Sequence, residues 1–181
     1  MGVAETERNT RGESDARSRA AEKVIIFHLA DQAYAIPLDA VLEILPMARL
    51  AHPPGLPAVL AGFLNLGGTA VPVVKLARLF GLAEQAPGLY TPLLVVRLDG
   101  QTLALLVDAV DGIAPIDEST TLTLRENLCF NDCAESLATV GDTNVILLSN
   151  QRLFHEQEQR RIGELVAIEQ SRLASFQEEQ S

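Results

Sequence analysis

The sequence predicts a mainly β fold, a barrel or a sandwich, that ends in one amphipathic helix. Three observations lead to this class. About nine short apolar segments with strand character follow one another at close spacing, and turn residues separate them. No long helical pattern alternates with these segments, which argues against a doubly wound α/β sheet. Helical spacing dominates only after Asn150, near the end of the chain.

The chain begins with a polar, charged segment. Residues 1–22 carry closely spaced Glu and Arg side chains and bury too little apolar surface to offset the entropy of ordering, so we expect a disordered tail or a frayed helix. Val24 to Leu29 then predicts a strand, Asp31-Gln32 a turn, and Tyr34 to Ile36 the second arm of a hairpin. Pro37 ends this arm because proline lacks the N–H that a strand ladder needs.

A short connection follows the first hairpin. Asp39 is expected to cap a turn of helix that runs through Leu42, and Glu43 to Leu45 is predicted to be extended again. Residues 52–57 contain three prolines and one glycine. This composition forbids regular strand pairing and predicts an irregular loop.

The next segment predicts a second hairpin. The apolar run Val59–Leu66, the tight turn Gly67-Gly68 and the strand Thr69–Val74 supply its three parts. Lys75 to Phe80 has helical spacing, and Gly81 is expected to end that short helix.

The second half of the chain repeats this arrangement of strands and turns. Asp99-Gly100, Asp111-Gly112 and residues 141–143 are predicted turns. Residues 117–136 are polar and poor in strand formers, so a loop or a short helix is expected there. The predicted strands are Leu93–Leu98, Thr102–Val107, Ile113–Ile116, Leu137–Val140 and Asn144–Leu148.

The helix predicted for residues 156–181 is amphipathic. Its apolar stripe consists of Ile162, Leu165, Val166, Leu173 and Phe176, and Glu169 fills a gap in it. Such a stripe needs an apolar partner surface, and docking on the chain's own barrel is expected in preference to binding another protein. Gly163 weakens the helix by about 1 kcal/mol relative to Ala.

Composition excludes several classes of function. The net charge is −10, which disfavours binding to nucleic acid and to anionic membrane surfaces. No apolar run approaches the roughly 18 residues of a membrane span. Cys129 and Cys133 match neither a zinc knuckle nor a disulfide framework. They are expected to be small apolar residues near a core rather than redox sensors, and the protein to be cytoplasmic.

Five segments, in the right order and at the right spacing, resemble the CheW-like domain family over about residues 23–155. They are Phe27–Leu38, Val41–Ile44, Gly62–Leu76, Leu106–Val110 and Asp142–Ser149. The third is similar to the family pattern G-x-x-N-L-R-G-x-x-x-P-V-x-D-L, and the fourth to x-V-D-x-V. Residues 23–155 are therefore expected to form one CheW-like domain.

The resemblance implies two small SH3-like β-barrel subdomains packed together, followed by the C-terminal helix. It also implies a non-enzymatic adaptor that needs no cofactor or metal. Such an adaptor links the cytoplasmic tip of methyl-accepting chemoreceptors to the regulatory domain of a CheA-type histidine kinase. The partner-binding residues that the resemblance assigns are Val41, Glu43, Asn65, Leu66, Gly67, Gly68 and Ile113. For Asn65, Leu66 and Gly68, turn geometry is an alternative explanation.

Two residues depart from the family pattern. Gly67 replaces the Arg of N-L-R-G, and Lys75 replaces the Asp of P-V-x-D-L. Glycine cannot supply the five donors of a guanidinium, so partner choice at this hairpin is open. The first alternative is therefore a divergent member that serves pilus motility or another non-flagellar sensory pathway. The second is a small ligand-binding barrel or enzyme, which would need a polar cavity with convergent titratable groups.

The remaining polar residues of interest are expected to be structural. Asp108 is placed to accept local backbone hydrogen bonds at a strand end rather than to act as an acid. His28, His52 and His155 are far apart in the sequence, and no supporting residue is evident near any of them. His28 is expected to point outward from its strand.

Overall fold

The structure, a computed structural model, describes residues 22–98, 100–116, 121–123, 133–149 and 153–178. These residues form eleven strands, two α-helices and one 3₁₀-helix, Leu38–Ala40. The strands are β1 Glu22–Leu29, β2 Gln32–Pro37, β3 Val41–Pro46, β4 Leu60–Leu66, β5 Thr69–Lys75, β6 Pro92–Leu98, β7 Gln101–Leu106, β8 Ala109–Ile116, β9 Thr121–Thr123, β10 Ala134–Val140 and β11 Thr143–Leu148. The helices are α1 Leu76–Leu79 and α2 Glu156–Glu178.

The strands form two sheets, and the chain passes from the first sheet to the second and back. Sheet A has the order β8-β1-β2-β11-β10-β9, and sheet B has the order β3-β6-β7-β5-β4. The chain thus begins in sheet A, builds all of sheet B and returns to complete sheet A. Backbone hydrogen bonds between Ala51 and Phe63, at 2.8 and 2.9 Å, join the segment after β3 to β4 and curl sheet B toward closure. The prediction of a mainly β fold with two small barrel subdomains is confirmed.

β1 is buried on both of its faces. Val24 and Ile26 point into the apolar cluster of sheet A, whereas Ile25 and Phe27 point into a larger core that both sheets share. Because successive strand side chains point to opposite faces, a strand buried on both sides must be apolar at every position. In β6, Leu93 and Val95 likewise face the sheet B cluster, and Leu94 and Val96 face the shared core.

The shared core also holds the start of the C-terminal helix. Leu153, Phe154 and Ile162 are all buried in it. The helix therefore docks on its own chain, as expected, but only in part. Phe176, predicted to belong to the apolar stripe, is 57% exposed. Within the described part of the chain, neither helix has the length and the apolar composition needed to cross a membrane.

The prediction for the connection after the first hairpin is wrong. Asp39 does not cap a helical turn through Leu42: it lies inside the 3₁₀-helix, no side chain caps that helix, and β3 already begins at Val41. Val41 is extended rather than helical because it pairs with Val96 of β6.

Asp111-Gly112 is not a turn but a bulge within β8. Ile26 is opposite Gly112 and Phe27 is opposite Val110, so Asp111 is the extra residue of the bulged strand. Gly112 adopts a φ of 139°, which its lack of a side chain permits. The Asp-Gly pair marks a backbone irregularity, as its sequence indicates, but it leaves the chain direction unchanged.

The segment 117–136 is more regular than predicted. β9 pairs with β10 through Leu122 and Leu137, and β10 already begins at Ala134. Both strands fall where a loop or short helix was expected. Residues 117–120 and 124–132, Cys129 included, lie outside the described residues, as does the predicted N-terminal tail up to residue 21. Glu22, assigned to the tail, is the first residue of β1.

Candidate partner-binding surface

The tight turn of the second hairpin holds four of the residues that the sequence analysis assigned to partner contact. Leu66 pairs with Thr69, so Gly67-Gly68 is a two-residue loop. Both glycines have positive φ, 58° and 89°, as a type I′ turn requires. The backbone N–H of Gly68 donates to Asn65 Oδ1 at 2.8 Å. Asn65 therefore shapes the turn, and its contact with a partner stays a prediction.

β3 carries the second group of assigned residues. This strand is an edge of sheet B; Val41 is half-buried and Glu43 is exposed. Leu42 and Ile44 beside them are each 46% exposed. These two residues were not predicted from the sequence. The available signal was that they are apolar side chains on either side of Glu43.

Ile113 lies on the third element, β8, which is an edge of sheet A. Its side chain is 60% exposed. The assigned residues therefore occupy one hairpin turn and two edge strands rather than a single cluster. An exposed apolar side chain on an edge strand is the combination that strand-edge recognition uses.

Helix α2 reaches the hairpin turn through Gln170. Its Nε2 donates to the carbonyl oxygen of Gly68, and its Oε1 accepts from the N–H of Ala70, both at 2.8 Å. Next to it, Glu169 is buried and accepts from Arg172 at 3.1 Å. Gln170 was missed because 100 residues separate it from Ala70. The only signal was the polar gap at Glu169 in the apolar stripe.

Asp108 and His28 both make structural contacts around the first hairpin. The N–H of Ala30, which has a φ of 51°, donates to Asp108 Oδ2 at 2.7 Å. Asp108 thus accepts a backbone hydrogen bond as predicted, but from a residue distant in sequence. His28 Nε2 lies 2.7 Å from Asp111 Oδ2, so the expectation that His28 lacks a supporting residue is wrong.

The described residues contain no group of three or more His, Cys, Asp or Glu side chains that could hold a metal ion. Cys133 is buried in the shared core, where it packs as a small apolar residue. Neither observation adds a residue to the candidate partner-binding surface.

Lys75, at the position of the family Asp, is part of a small charge cluster. Its Nζ lies 3.5 Å from Glu84, which also accepts from Arg78 at 2.8 Å. Lys75 and Glu84 border an open cleft of about 910 Å³ that Arg49 and His52 also line. This convergence was not predicted from the sequence. Because Glu84 pairs with Lys75, the charge reversal at this position has a partner within the chain.

Comparison with known proteins decides the family. The sequence model of the CheW-like domain matches residues 23–158. The chain belongs to the CheW-like family. This CheW-like chain is 25% identical to the probable chemotaxis protein CheW of Rhizobium etli over 139 residues, which cover 75% of this chain and 89% of that protein. It is 28% identical to the chemotaxis protein CheW of Helicobacter pylori over 129 residues, 70% of this chain and 78% of the relative.

A solved structure supports the same assignment. The crystal structure of the scaffolding protein TtCheW from Thermoanaerobacter tengcongensis superimposes on this CheW-like chain with a TM-score of 0.69 at 26% identity. The match covers 75% of this chain and 93% of TtCheW. The fold that carries the candidate surface is thus shared with a scaffolding protein.

Proposed function

We propose that this chain is a non-enzymatic chemotaxis adaptor that couples chemoreceptors to a CheA-type histidine kinase. Family membership supports the adaptor role, since the relatives from Rhizobium etli and Helicobacter pylori are named as chemotaxis proteins and TtCheW as a scaffolding protein. The partners proposed are the regulatory domain of the kinase and the cytoplasmic tip of a methyl-accepting chemoreceptor. We accordingly propose a cytoplasmic location.

One observation of this structure carries the proposal: apolar side chains are exposed on strands that end a sheet. Leu42 and Ile44 on β3 and Ile113 on β8 expose about half of their surface or more. Exposed apolar residues beside an unpaired strand edge favour self-association unless a partner covers them. Glu43, between the two β3 residues, supplies a charge that can select among partners.

The names of these relatives favour chemotaxis over a pilus-motility or other non-flagellar pathway. The departures at Gly67 and Lys75 bear on how strongly the hairpin couples to its partner. Lys75 is paired with Glu84, a carboxylate that also accepts from Arg78, whereas Gly67 removes a donor group without replacement at the same position.

Binding of the purified chain to two purified fragments tests the proposal. We expect isothermal titration to give dissociation constants in the micromolar range both for the kinase regulatory domain and for a helical-hairpin fragment of the receptor tip. Glu43→Lys reverses the charge on the β3 edge and is expected to weaken the binding of at least one fragment about tenfold.

Glu135→Lys is the matched control, because Glu135 is also an exposed strand glutamate but lies on β10 of sheet A, whereas Glu43 lies on the β3 edge of sheet B. This variant should bind both fragments like the wild type. Absence of binding of either fragment at roughly tens of micromolar protein would contradict the adaptor function. Equal effects of the two substitutions would contradict the role of the β3 edge alone.

A further inference from the structure

Gln170 occupies the position of a missing strand beside β5. In a parallel sheet, a residue donates its N–H to one carbonyl of the neighbouring strand and accepts from the N–H two residues further on. The side-chain amide of Gln170 does this with the Gly68 carbonyl and the Ala70 N–H. One peptide unit of a strand is thus replaced by a side chain of α2.

The first residues of β5 have an open edge on this side. β4 pairs with β5 through Leu66 and Thr69 at the turn, but β7 pairs with β5 in parallel only over Val73–Lys75. The N–H of Ala70 therefore points beyond the end of the β7 ladder. Gln170 continues that ladder by one unit and covers the edge of the hairpin.

The two halves of α2 are held differently. Ile162 is buried in the shared core, and Val166 packs against it. Beyond Val166, Ile168 and Phe176 are each more than half exposed. The first half of the helix is thus an anchor. The second half contacts the hairpin turn through the two hydrogen bonds of Gln170, beside the buried Glu169 and three residues before the half-buried Leu173.

We propose that the second half of α2 is an intramolecular competitor for the β4–β5 hairpin, which a partner's amphipathic helix displaces. The inference rests on the proposed function, because Asn65 to Gly68 are residues that the family resemblance assigns to partner contact. A partner helix that seats on this edge can reach the Gly68 carbonyl and the Ala70 N–H only after Gln170 has left them.

The pattern of α2 defines the chemistry of the competing helix. On the second half of α2, Gln170 bonds to the hairpin edge, and the apolar Leu173, three residues later, is half-buried. Residues three apart lie on one face of a helix. The competing partner is accordingly a helix that presents an amide and, three residues later, an apolar side chain. The receptor tip is the proposed partner that supplies such helices.

Gln170→Glu tests the competition. Glutamate keeps the size of the side chain and an acceptor for the Ala70 N–H, but its carboxylate cannot donate to the Gly68 carbonyl and is repelled by that oxygen, so the second half of α2 should be released. We expect the receptor-tip helical hairpin to bind this variant roughly three- to tenfold more tightly than the wild type in isothermal titration. The N–H of Ala70 should exchange with solvent faster in the free variant, which shows the release directly.

Gln157→Glu is the matched control. It makes the same charge change in the same helix, and Gln157 is exposed and far along the helix from the hairpin contact. It should leave receptor affinity and Ala70 exchange unchanged. If circular dichroism shows that Gln170→Glu is unfolded, Gln170→Ala, which removes both hydrogen bonds without adding charge, takes its place.

The decisive case is a Gln170 variant that is folded and whose Ala70 N–H exchanges faster. Unchanged or weaker binding of the receptor fragment by that variant would overturn the competition. Binding by the wild type would still uphold the adaptor function. Weaker binding would make α2 part of the contact surface instead. If neither the wild type nor the variants bind the fragment, the proposed receptor coupling fails as well. Measurable wild-type binding that the Gln170 variants tighten is the outcome that supports a displaceable helix.

Discussion

Gly62 is the residue at which the curled sheet B comes closest to itself. It lies in β4 opposite the segment that returns after β3, and its φ is 148°. A Cβ at this position would lie 2.7 Å from the carbonyl oxygen of Ala51 and 2.9 Å from Leu50 Cβ. The glycine that interrupts the apolar run in the sequence is therefore a requirement of barrel closure.

Gly62→Ala should destabilise the protein by at least about 2 kcal/mol, since it adds both a rare backbone conformation and a clash with backbone. Gly141→Ala is the control: Gly141 also has positive φ, 61°, but a Cβ there meets nothing within 4 Å. We expect it to cost only about 1 kcal/mol. Urea unfolding measures both values, and equal losses would contradict the role of close approach.

Substitutions at Gly67 test whether the missing guanidinium determines how tightly the chain binds the kinase regulatory domain. Its φ is 58°, and a Cβ at this position would meet nothing within 4 Å. Gly67→Arg should cost about 1 kcal/mol of stability through backbone strain and tighten binding of the kinase regulatory domain about tenfold, because a guanidinium adds charged hydrogen bonds.

Gly67→Ala introduces the same backbone strain without the charge, so it separates the two effects. It should lose the same stability and bind the kinase domain like the wild type. If the Arg and Ala variants bind with equal affinity in isothermal titration, the hairpin of this chain does not couple through that position.

At the scale of elements, the sequence predicted hairpins well and irregular strands poorly. The turns at Gly67-Gly68 and Gly141-Asp142 were predictable because two-residue loops demand positive φ, which glycine supplies. The bulge at Gly112 was not, because an Asp-Gly pair fits a turn and a bulge equally well. Only the pairing of β8 with β1 distinguishes them. β9, with three residues, pairs without a strong local strand signal.

The candidate surface was predictable only where it is local. The geometry of the Asn65–Gly68 turn follows from its own residues, and Asn65 indeed bonds to Gly68. The docking of Gln170 on Gly68 spans 102 residues, and the pair of His28 with Asp111 spans 83. Periodicity places Gln170 next to an apolar stripe but says nothing of which strand that stripe covers.

Helix α2 contains one glycine whose replacement tests its stability directly. Gly163 lies in the helix interior, and a Cβ there would meet nothing within 4 Å. Gly163→Ala should therefore stabilise the protein by up to about 1 kcal/mol, the difference in helix propensity. Thermal unfolding measures the gain. A loss of stability in Gly163→Ala would mean that the helix is distorted at this residue. The control is Ala174→Gly, at an exposed helix position, which should lower the stability.

At the scale of the whole molecule, the two sheets are coupled by the core that they share. That core takes Phe27 from sheet A, Leu94 from sheet B and Ile162 from α2. Because the chain leaves sheet A after β2 and returns to it at β8, sheet A cannot be completed without spanning sheet B. The CheW-like domain is therefore expected to unfold as one cooperative unit, although it contains two barrels.

Adjacent leucines of β6 allow this coupling to be tested. Leu93 and Leu94 are both fully buried, but Leu93 faces the sheet B cluster and Leu94 the shared core. Each Leu→Ala change should cost about 2–5 kcal/mol. Hydrogen exchange followed across a denaturant series should show amides of both sheets opening together in the wild type and in Leu93→Ala, and separately in Leu94→Ala. Coincident opening in Leu94→Ala would mean that the crossing of the chain between the sheets, rather than the packing between them, makes the unfolding cooperative.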